Sequence, residues 1–216
     1  MNRTLTANDV EIVDRTTVYR GYFRIARYRV RHKLFEGGWS GVFAREVFER
    51  GHAVAVLPYD PDADQVVMIE QFRIGASVAI GDGMFAADAS PWLIECVAGI
   101  AEKGEDPEEV ARREIKEETG RDIDEMVPVH HYLVSPGGTS ETVTVYCGRV
   151  DASGVEGIHG LSHEGENIRP FALPVAEAFR LLDNGHIVNA MTIIALQWLR
   201  ANRVNLRNAW RRPAKG

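Results

Sequence analysis

The stretch GIAEKGEDPEEVARREIKEETG, residues 99–120, contains a helix whose two ends are marked by residue type. Asp106 is suited to cap the amino end, and Pro107 fits the first helical position. Glu109 follows three residues after the cap, which is the spacing of a capping box. Gly120 supplies the left-handed residue with which helices commonly end. These signals predict a helix that begins after Asp106 and stops at Gly120.

Three glutamates lie on one side of this predicted helix. At about 100° per residue, Glu114, Glu117 and Glu118 fall within one arc. Carboxylates at i, i+3 and i+4 repel one another, so the arrangement favours a hard divalent cation with oxygen ligands. A solvated acidic helix face is the alternative that the helix alone leaves open.

A longer pattern surrounds the glutamates. Gly99 and Glu105 precede the run Arg113-Glu114-Ile115-Lys116-Glu117-Glu118-Thr119-Gly120 at fixed spacings. The whole pattern resembles the Nudix box of the nucleoside-diphosphate-X hydrolases, which implies chemistry at a pyrophosphate. Arg121 stands where that family has an aliphatic residue, and we expect Ile123 to take over its packing role.

Composition and charge restrict the remaining function classes. The 216 residues are 45% hydrophobic and 26% charged, which is typical of one globular core. The net charge of −6 argues against nucleic-acid binding, and no apolar run approaches the ~20 residues of a membrane span. MNRTLTANDVEIVD at the start lacks the apolar centre of a signal peptide. Cys96 and Cys147 are expected to be reduced, buried thiols of a cytoplasmic protein.

The rest of the chain reads as strands, loops and helices in alternation. Apolar and β-branched runs predict strands, and Gly- or Pro-rich stretches predict loops. Strands are predicted at 18–34, 42–49, 52–57, 66–72, 91–98, 127–134 and 142–150, loops at 74–90, 135–141 and 151–169, and helices at 174–183 and 189–203. The tail from Asn205 is expected to be frayed. Glu164 and Glu166 lie in the predicted loop at 151–169. This loop is the best source in the sequence of a general base that is separate from the metal ligands on the helix.

Segments beyond the box extend the resemblance over roughly residues 18–210, to the bacterial ADP-ribose pyrophosphatases of the Nudix superfamily. These segments are ERGHAVAVLPYDP, VVMIEQFRIGA, PWLIECVAGIAEKGE, SPGGTSE, GIHGLSHEGENIR and NAMTIIALQWL. The resemblance implies a Nudix α/β/α sandwich with a mixed sheet and an N-terminal antiparallel β-arm. In domain terms, we expect residues 1–50 to form a dimerisation and substrate-contacting arm, 51–210 the Nudix domain, and 211–216 a disordered tail.

The resemblance also implies an activity and a partner. It implies Mg²⁺-dependent cleavage of ADP-ribose to AMP and ribose 5-phosphate, with Mn²⁺ as a substitute ion, by a homodimer that exchanges its arms. Nucleic acid and membranes are not expected partners. The alternatives are a GDP-mannose or other nucleotide-sugar hydrolase, a Nudix-fold module that senses a nucleotide without cleaving it, and a structural protein with an acidic helix.

Residue roles are carried over onto matching positions. The metal ligands implied are the carbonyl of Ala98 with Glu114, Glu118 and Glu166, to which the helix adds Glu117, while Glu164 is the base. The implied substrate contacts are Tyr22, Phe23, Arg45, Glu46, Arg50, Arg73 and Ile100, with Ser135, Pro136, Gly137 and Glu141 reaching in from a partner subunit. Gly99, Glu105, Arg113 and Gly120 shape the box, and Arg113 is expected to pair with Glu117 or Glu105.

Overall fold

The computed structural model describes residues 4–161, 163 and 165–211, and within these residues it contains ten strands and four α-helices. The strands are β1 (Val10–Arg20), β2 (Arg24–His32), β3 (Phe43–Glu49), β4 (His52–Asp60), β5 (Gln65–Phe72), β6 (Trp92–Glu95), β7 (Val97–Ala101), β8 (Met126–Leu133), β9 (Thr142–Arg149) and β10 (Arg169–Pro174). The helices are α1 (Ile74–Gly81), α2 (Pro107–Thr119), α3 (Val175–Asp183) and α4 (Ala190–Trp210). A 3-10 turn, Ala7–Asp9, precedes β1.

The chain forms two compact units. The arm unit consists of the described residues up to His52 together with Tyr132–Thr142, and the core unit consists of Ala53–His131 and the described residues from Val143 onward. In the arm unit, β1, β2 and β3 form an antiparallel sheet in that order, so β1 is an edge strand. All eleven residues of β1 are exposed to solvent.

The core unit is built around a mixed sheet of seven strands. Its main path has the order β10-β5-β4-β9-β8, while β6 pairs with β5 and β7 pairs with β4. Strand β4 is antiparallel to β5 and parallel to β9. The chain therefore changes its pairing partner between β6 and β7, at Cys96, and this change directs it toward α2.

Helices cover both faces of this sheet. Val56 and Ile69 belong to a buried cluster that also contains Val110 and Ile115 of α2. Side chains alternate between faces along a strand, so neighbours such as Leu57, which is fully buried, point to the opposite face. That face needs its own apolar cover, and α3 and α4 contribute buried residues, Ala178, Ala195 and Leu199 among them. The result is the predicted α/β/α arrangement with a mixed sheet.

Helix α2 has the ends that its sequence predicts. The Oδ1 atom of Asp106 accepts a hydrogen bond from the Glu108 N–H at 2.9 Å, and Pro107 occupies the first turn. Gly120 has a φ of 70° and donates its N–H to the carbonyl of Lys116. Ile123 is 8% exposed and joins the core cluster, which confirms that it packs in place of the aliphatic residue missing at Arg121.

Four expectations about the elements are wrong. Residues 91–98 do not form one strand, because β6 and β7 pair with different strands. The predicted strand at 18–34 is interrupted between Arg20 and Arg24, where β1 turns into β2.

Residues 74–90 do not form a loop throughout, because Ile74–Gly81 is helical. The sequence of this helix is rich in Gly and Ala and lacks the alternation of apolar and polar residues by which a helix is predicted. The chain from Asn205 is not frayed either, since α4 continues to Trp210, and Leu206 and Trp210 are buried.

Long-range pairing holds the carboxyl half of α4. Asp64, at the β4–β5 turn, accepts hydrogen bonds from the guanidinium of Arg203 and, at 2.9 Å, from the hydroxyl of Tyr59. Arg207 adds an ion pair to the same carboxylate at 3.3 Å.

Residues 212–216, most of the predicted disordered tail, lie outside the described part of the chain. Among the described residues, no helix is both long and apolar enough to span a bilayer.

Candidate active site on helix α2

Glu118 is the most deeply buried carboxylate of α2. The residue is 3% exposed, and its carboxylate accepts a hydrogen bond from the backbone N–H of Ala98 in β7. Its Oε2 atom is buried without a hydrogen-bond partner among the described residues. A buried, unpartnered carboxylate oxygen costs free energy of folding, so its presence indicates a ligand at this position.

Like charges surround this carboxylate. Burial first, and then the negative charges of Glu114 and Glu166, raise the pKa of Glu118 from its ordinary value of 4.5 to about 9, although the cation of Arg73 acts in the opposite direction. Glu114 is half-buried, and burial raises its pKa as well. The charge of Glu166 thus disfavours the charged forms of both Glu114 and Glu118, and a cation would relieve this repulsion.

Gly99 leaves the space that the Glu114 side chain occupies. A Cβ atom at position 99 would overlap the carboxyl group of Glu114. Glu114 pairs with Arg113 at 2.7 Å, and Arg113 also pairs with Glu117 at 3.3 Å. The guanidinium therefore offsets the charges of Glu114 and Glu117, but it gives no hydrogen bond to the buried Oε2 atom of Glu118.

Glu166 is held in the loop between β9 and β10. Its Oε2 atom accepts the N–H of Leu161 at 2.9 Å. Gly160 has a φ of 90°, and a Cβ atom there would crowd the side chain of Glu166. A pair of backbone hydrogen bonds between His159 and Ile168 closes the base of this loop. Glu164, the predicted base, lies outside the described residues.

The donor set fits a hard divalent cation in its chemistry. Carboxylate and carbonyl oxygens are the ligands that such ions prefer, and Glu118 combines an unpartnered oxygen with a pKa raised by two further carboxylate charges. In the described part of the chain, no three His, Cys, Asp or Glu side chains already converge at metal-ligating distances. Glu114 would have to turn from Arg113 to serve as a ligand.

Arg73 and Ile100 are the two predicted substrate residues of the core unit. The guanidinium of Arg73 donates from Nε and Nη2 to the Oε2 atom of Glu95, at 2.9 and 2.8 Å. Its side chain is 40% exposed, so the rest of the fork is open to a ligand. Ile100 is exposed on β7. Glu105 of the box accepts the N–H of Glu102 at 2.7 Å and so closes the turn before α2.

The arm unit brings together four of the other predicted residues. The rings of Tyr22 and Phe23 meet edge to face at 4.8 Å between centroids, and the Arg50 guanidinium lies 5.6 Å from the Phe23 centroid. Arg50 also pairs with Glu141 at 3.2 Å. The aromatic residues, a cation and an anion thus form one cluster in the arm unit, and Tyr22 is 85% exposed.

Other predicted arm residues lie elsewhere. Arg45 stacks on Phe43, with its guanidinium 4.7 Å from the ring centroid. Because side chains alternate along β3, Arg45 points away from the face that carries Phe48, the neighbour of Phe23. Glu46 is engaged by Arg27 at 3.0 Å. Residues 135–137 are exposed in a loop whose next residue, Gly138, accepts the Phe48 N–H at 2.8 Å.

Sequence reasoning missed the partners of Arg73. Glu95 stands out as a charge within an apolar strand, yet its sequence context suggests no role for it. Gln71 and Asn189, which also bond to Glu95, give no signal beyond the suitability of Asn189 as a helix cap. These residues lie 24 and 94 positions from Glu95 in the chain, and contacts over such separations leave no local sequence pattern.

Comparison with known protein families identifies the architecture. The NUDIX domain family matches residues 49–196, which covers more than half of the chain. The chain belongs to the Nudix family. The glutamates of α2 lie within the matched residues.

Similar Nudix proteins cover nearly the whole chain. An ADP-ribose pyrophosphatase of Escherichia coli strain K12 is 47% identical over 207 residues, 96% of this chain and 95% of the relative. One from Haemophilus influenzae is 41% identical, over 94% of this chain and 92% of the relative. A GDP-mannose pyrophosphatase of Yersinia pestis is 30% identical, over 88% and 90%. A crystal structure of an ADP compounds hydrolase shares the fold, with a TM-score of 0.67, 20% identity, and coverage of 97% of this chain and 100% of the other.

The raised pKa of Glu118 predicts a pH-dependent stability. Between the ordinary value of 4.5 and about 9, the folded chain keeps a proton that the unfolded chain has lost, so the free energy of unfolding falls as pH rises. Glu118→Gln removes this titration. In EDTA at pH 8, we expect the variant to be more stable than the wild type by at least about 1 kcal/mol, and the two to converge near pH 4.

Urea unfolding at a series of pH values measures this difference. Glu109→Gln, at an exposed glutamate of the same helix, is the control and should change stability by less than about 0.5 kcal/mol throughout. A Glu118→Gln variant that is less stable than the wild type at pH 8 would contradict the assignment.

Proposed function

We propose that this chain hydrolyses the pyrophosphate bond of ADP-ribose to AMP and ribose 5-phosphate in a reaction that requires Mg²⁺, with Mn²⁺ as a substitute. The observation that carries the hydrolytic assignment is the buried, unpartnered oxygen of Glu118 beside the charges of Glu114 and Glu166. The substrate assignment is supported by relatives named ADP-ribose pyrophosphatase, at 47% and 41% identity over most of the chain.

The metal ligands in this proposal are the carbonyl of Ala98 and the carboxylates of Glu114, Glu117, Glu118 and Glu166. When bound, Mg²⁺ supplies positive charge to the non-bridging phosphate oxygens, on which negative charge builds in phosphoryl transfer. The buried position of Glu118 keeps one ligand fixed at the helix, because its carboxylate is held by the Ala98 N–H. Arg113 restrains Glu117 and Glu114 between binding events.

Proton transfer and substrate grip are assigned to other residues. Glu164 is the proposed base that takes a proton from the attacking water, since a carboxylate engaged with a metal accepts protons poorly. Arg73 binds a phosphate through the open edge of its guanidinium, for which the planar fork is suited. Tyr22 and Phe23 offer aromatic faces for the adenine ring, with Arg45, Glu46, Arg50, Ile100, Ser135, Pro136, Gly137 and Glu141 as the further proposed substrate contacts.

Assembly as a homodimer with exchanged arms is part of the proposal. It is supported by β1, an edge strand that exposes Ile12, Val18 and Tyr19 to solvent. An exposed edge with apolar side chains is a template for association with another chain. We place the protein in the cytoplasm, which agrees with free thiols at Cys96 and Cys147.

A substrate panel tests the assignment. With Mg²⁺ present, kcat/KM should be highest for ADP-ribose among ADP-ribose, GDP-mannose, ADP-glucose, NADH and diadenosine polyphosphates, with AMP and ribose 5-phosphate as products. EDTA should abolish turnover. A higher kcat/KM for GDP-mannose would favour the alternative that the Yersinia relative suggests, and no turnover of any compound would favour a nucleotide-sensing module.

Replacement of the proposed base gives a second prediction. Glu164→Gln should lower kcat by about 10²- to 10⁴-fold and leave Mg²⁺ binding nearly unchanged, because the side chain is not assigned to the metal. The matched control is Glu156→Gln, at another glutamate between β9 and β10, which should retain wild-type kcat. An unaltered kcat in Glu164→Gln would move the base to Glu166 or Glu141.

The proposed dimer predicts a response to charge on β1. Light scattering should give the wild type twice the mass of one chain, and Ile12→Lys should shift the population toward single chains at micromolar concentration. Val204→Lys, at an exposed apolar residue of α4, is the control and should remain dimeric. A wild type that stays monomeric at all concentrations would remove the dimer from the proposal.

A further inference from the structure

A buried polar network joins Arg73 to the start of α4. The carboxylate of Glu95, at the end of β6, is 2% exposed. Its Oε2 atom accepts two N–H groups of Arg73 and, at 3.3 Å, the amide of Gln71. Its Oε1 atom accepts the Nδ2 amide of Asn189 at 2.8 Å. The proposed reaction uses only Arg73 from this group and leaves the other three residues without a role.

The two ends of the ion pair lie in different environments. Glu95 is in the core, whereas the side chain of Arg73 is 40% exposed. A guanidinium has five N–H donors in a rigid plane, and bonding of Nε and one Nη2 hydrogen to a single buried oxygen fixes the orientation of that plane. The remaining N–H groups then face outward in a set direction. Glu95 thereby determines which edge of Arg73 a ligand meets.

The orientation of Asn189 is fixed from the other side. Asn189 caps α4, and its Oδ1 atom accepts both the N–H and the hydroxyl of Thr192, each at 3.1 Å. With Oδ1 committed to these donors, the amide nitrogen must face Glu95. The hydroxyl of Thr192 in turn accepts the N–H of Cys96 at 2.9 Å. Cys96 lies between β6, which pairs with β5, and β7, which pairs with β4. Its hydrogen bond therefore connects the network to the sheet.

We infer that Asn189, acting through Glu95, is a positioning residue that aims the guanidinium of Arg73 at a substrate phosphate. This inference rests on the proposed function, since it requires Arg73 to contact the substrate. Gln71 assists by holding the same carboxylate oxygen. None of the three touches the phosphate, so their effect is on substrate binding rather than on the bond-breaking step.

The variant Asn189→Ser separates the two roles of the asparagine, which are to cap α4 and to donate a hydrogen bond to Glu95. Serine caps a helix about as well as asparagine, but its hydroxyl is too short to reach both Thr192 and Glu95. KM for ADP-ribose should rise about fivefold to tenfold, as expected for loss of one charge-assisted hydrogen bond that orients a ligand-binding group, while kcat stays within about twofold. Asn202→Ser, on the same helix with its amide bonded to the Trp198 carbonyl, is the matched control and should change neither constant.

A double-mutant cycle tests whether Asn189 acts through Arg73. Arg73→Ala should raise KM more than Asn189→Ser does, and Asn189→Ser should add nothing further in the Arg73→Ala background. An equal KM increase in both backgrounds would overturn the inference, because Asn189 would then act independently of Arg73. An unchanged KM in Arg73→Ala would overturn it too, together with the proposed role of Arg73 in binding.

A spectroscopic readout keeps this test separate from the proposed substrate. The ¹H–¹⁵N resonance of the Arg73 Nε group, assigned by its loss in Arg73→Ala, should shift in Asn189→Ser and Glu95→Gln but remain in place in Asn202→Ser. If the wild type fails to cleave ADP-ribose yet the resonance shifts, the substrate is wrong and the positioning network stands. An unshifted resonance in Asn189→Ser overturns the inference whatever the substrate.

Discussion

The change of strand partner at Cys96 is the constraint on which the core unit depends. Up to Glu95 the chain pairs with β5, and from Val97 onward it pairs with β4. The Cys96 N–H between them bonds to the hydroxyl of Thr192, so a buried donor that leaves the sheet is still satisfied. Glu95 is thereby placed beside Arg73 on one side of the switch. On the other side, the Ala98 N–H reaches Glu118 and leads the chain toward α2.

This arrangement buries carboxylates at a cost in folding free energy that a bound cation would offset. Glu118 is buried with an oxygen that has no partner among the described residues, and the charges of Glu114 and Glu166 add to the cost of ionising it. A chain selected for stability alone would replace it with an apolar or amide side chain. Arg113 limits the repulsion by pairing with Glu114, but the cation of Arg73 is itself committed to Glu95. A bound cation would therefore give these carboxylates a charge balance that the described residues do not supply.

Local signals made part of this architecture readable from the sequence. The caps of α2, Asp106 and Gly120, act within one turn of the helix, and the helical spacing of its glutamates follows from the same geometry. The end of α4 was not readable in this way. Arg203 holds it through Asp64, 139 residues away in the chain, and no local pattern records such a contact. The partners of Glu95 were missed for the same reason, since a hydrogen-bond network across the sheet has no sequence period.

The anchoring of Arg73 also bears on the helix that directly follows it in the chain. Helix α1 begins at Ile74, the residue after Arg73, and none of its residues is buried. A segment without buried residues has fewer contacts to fix its position than a core element has, and a neighbouring side chain would ordinarily share that freedom. Arg73 does not, because Glu95 holds it from the core side and Asn189 holds Glu95. The orientation of the Arg73 guanidinium is therefore fixed by contacts to the core and not by the helix that follows it.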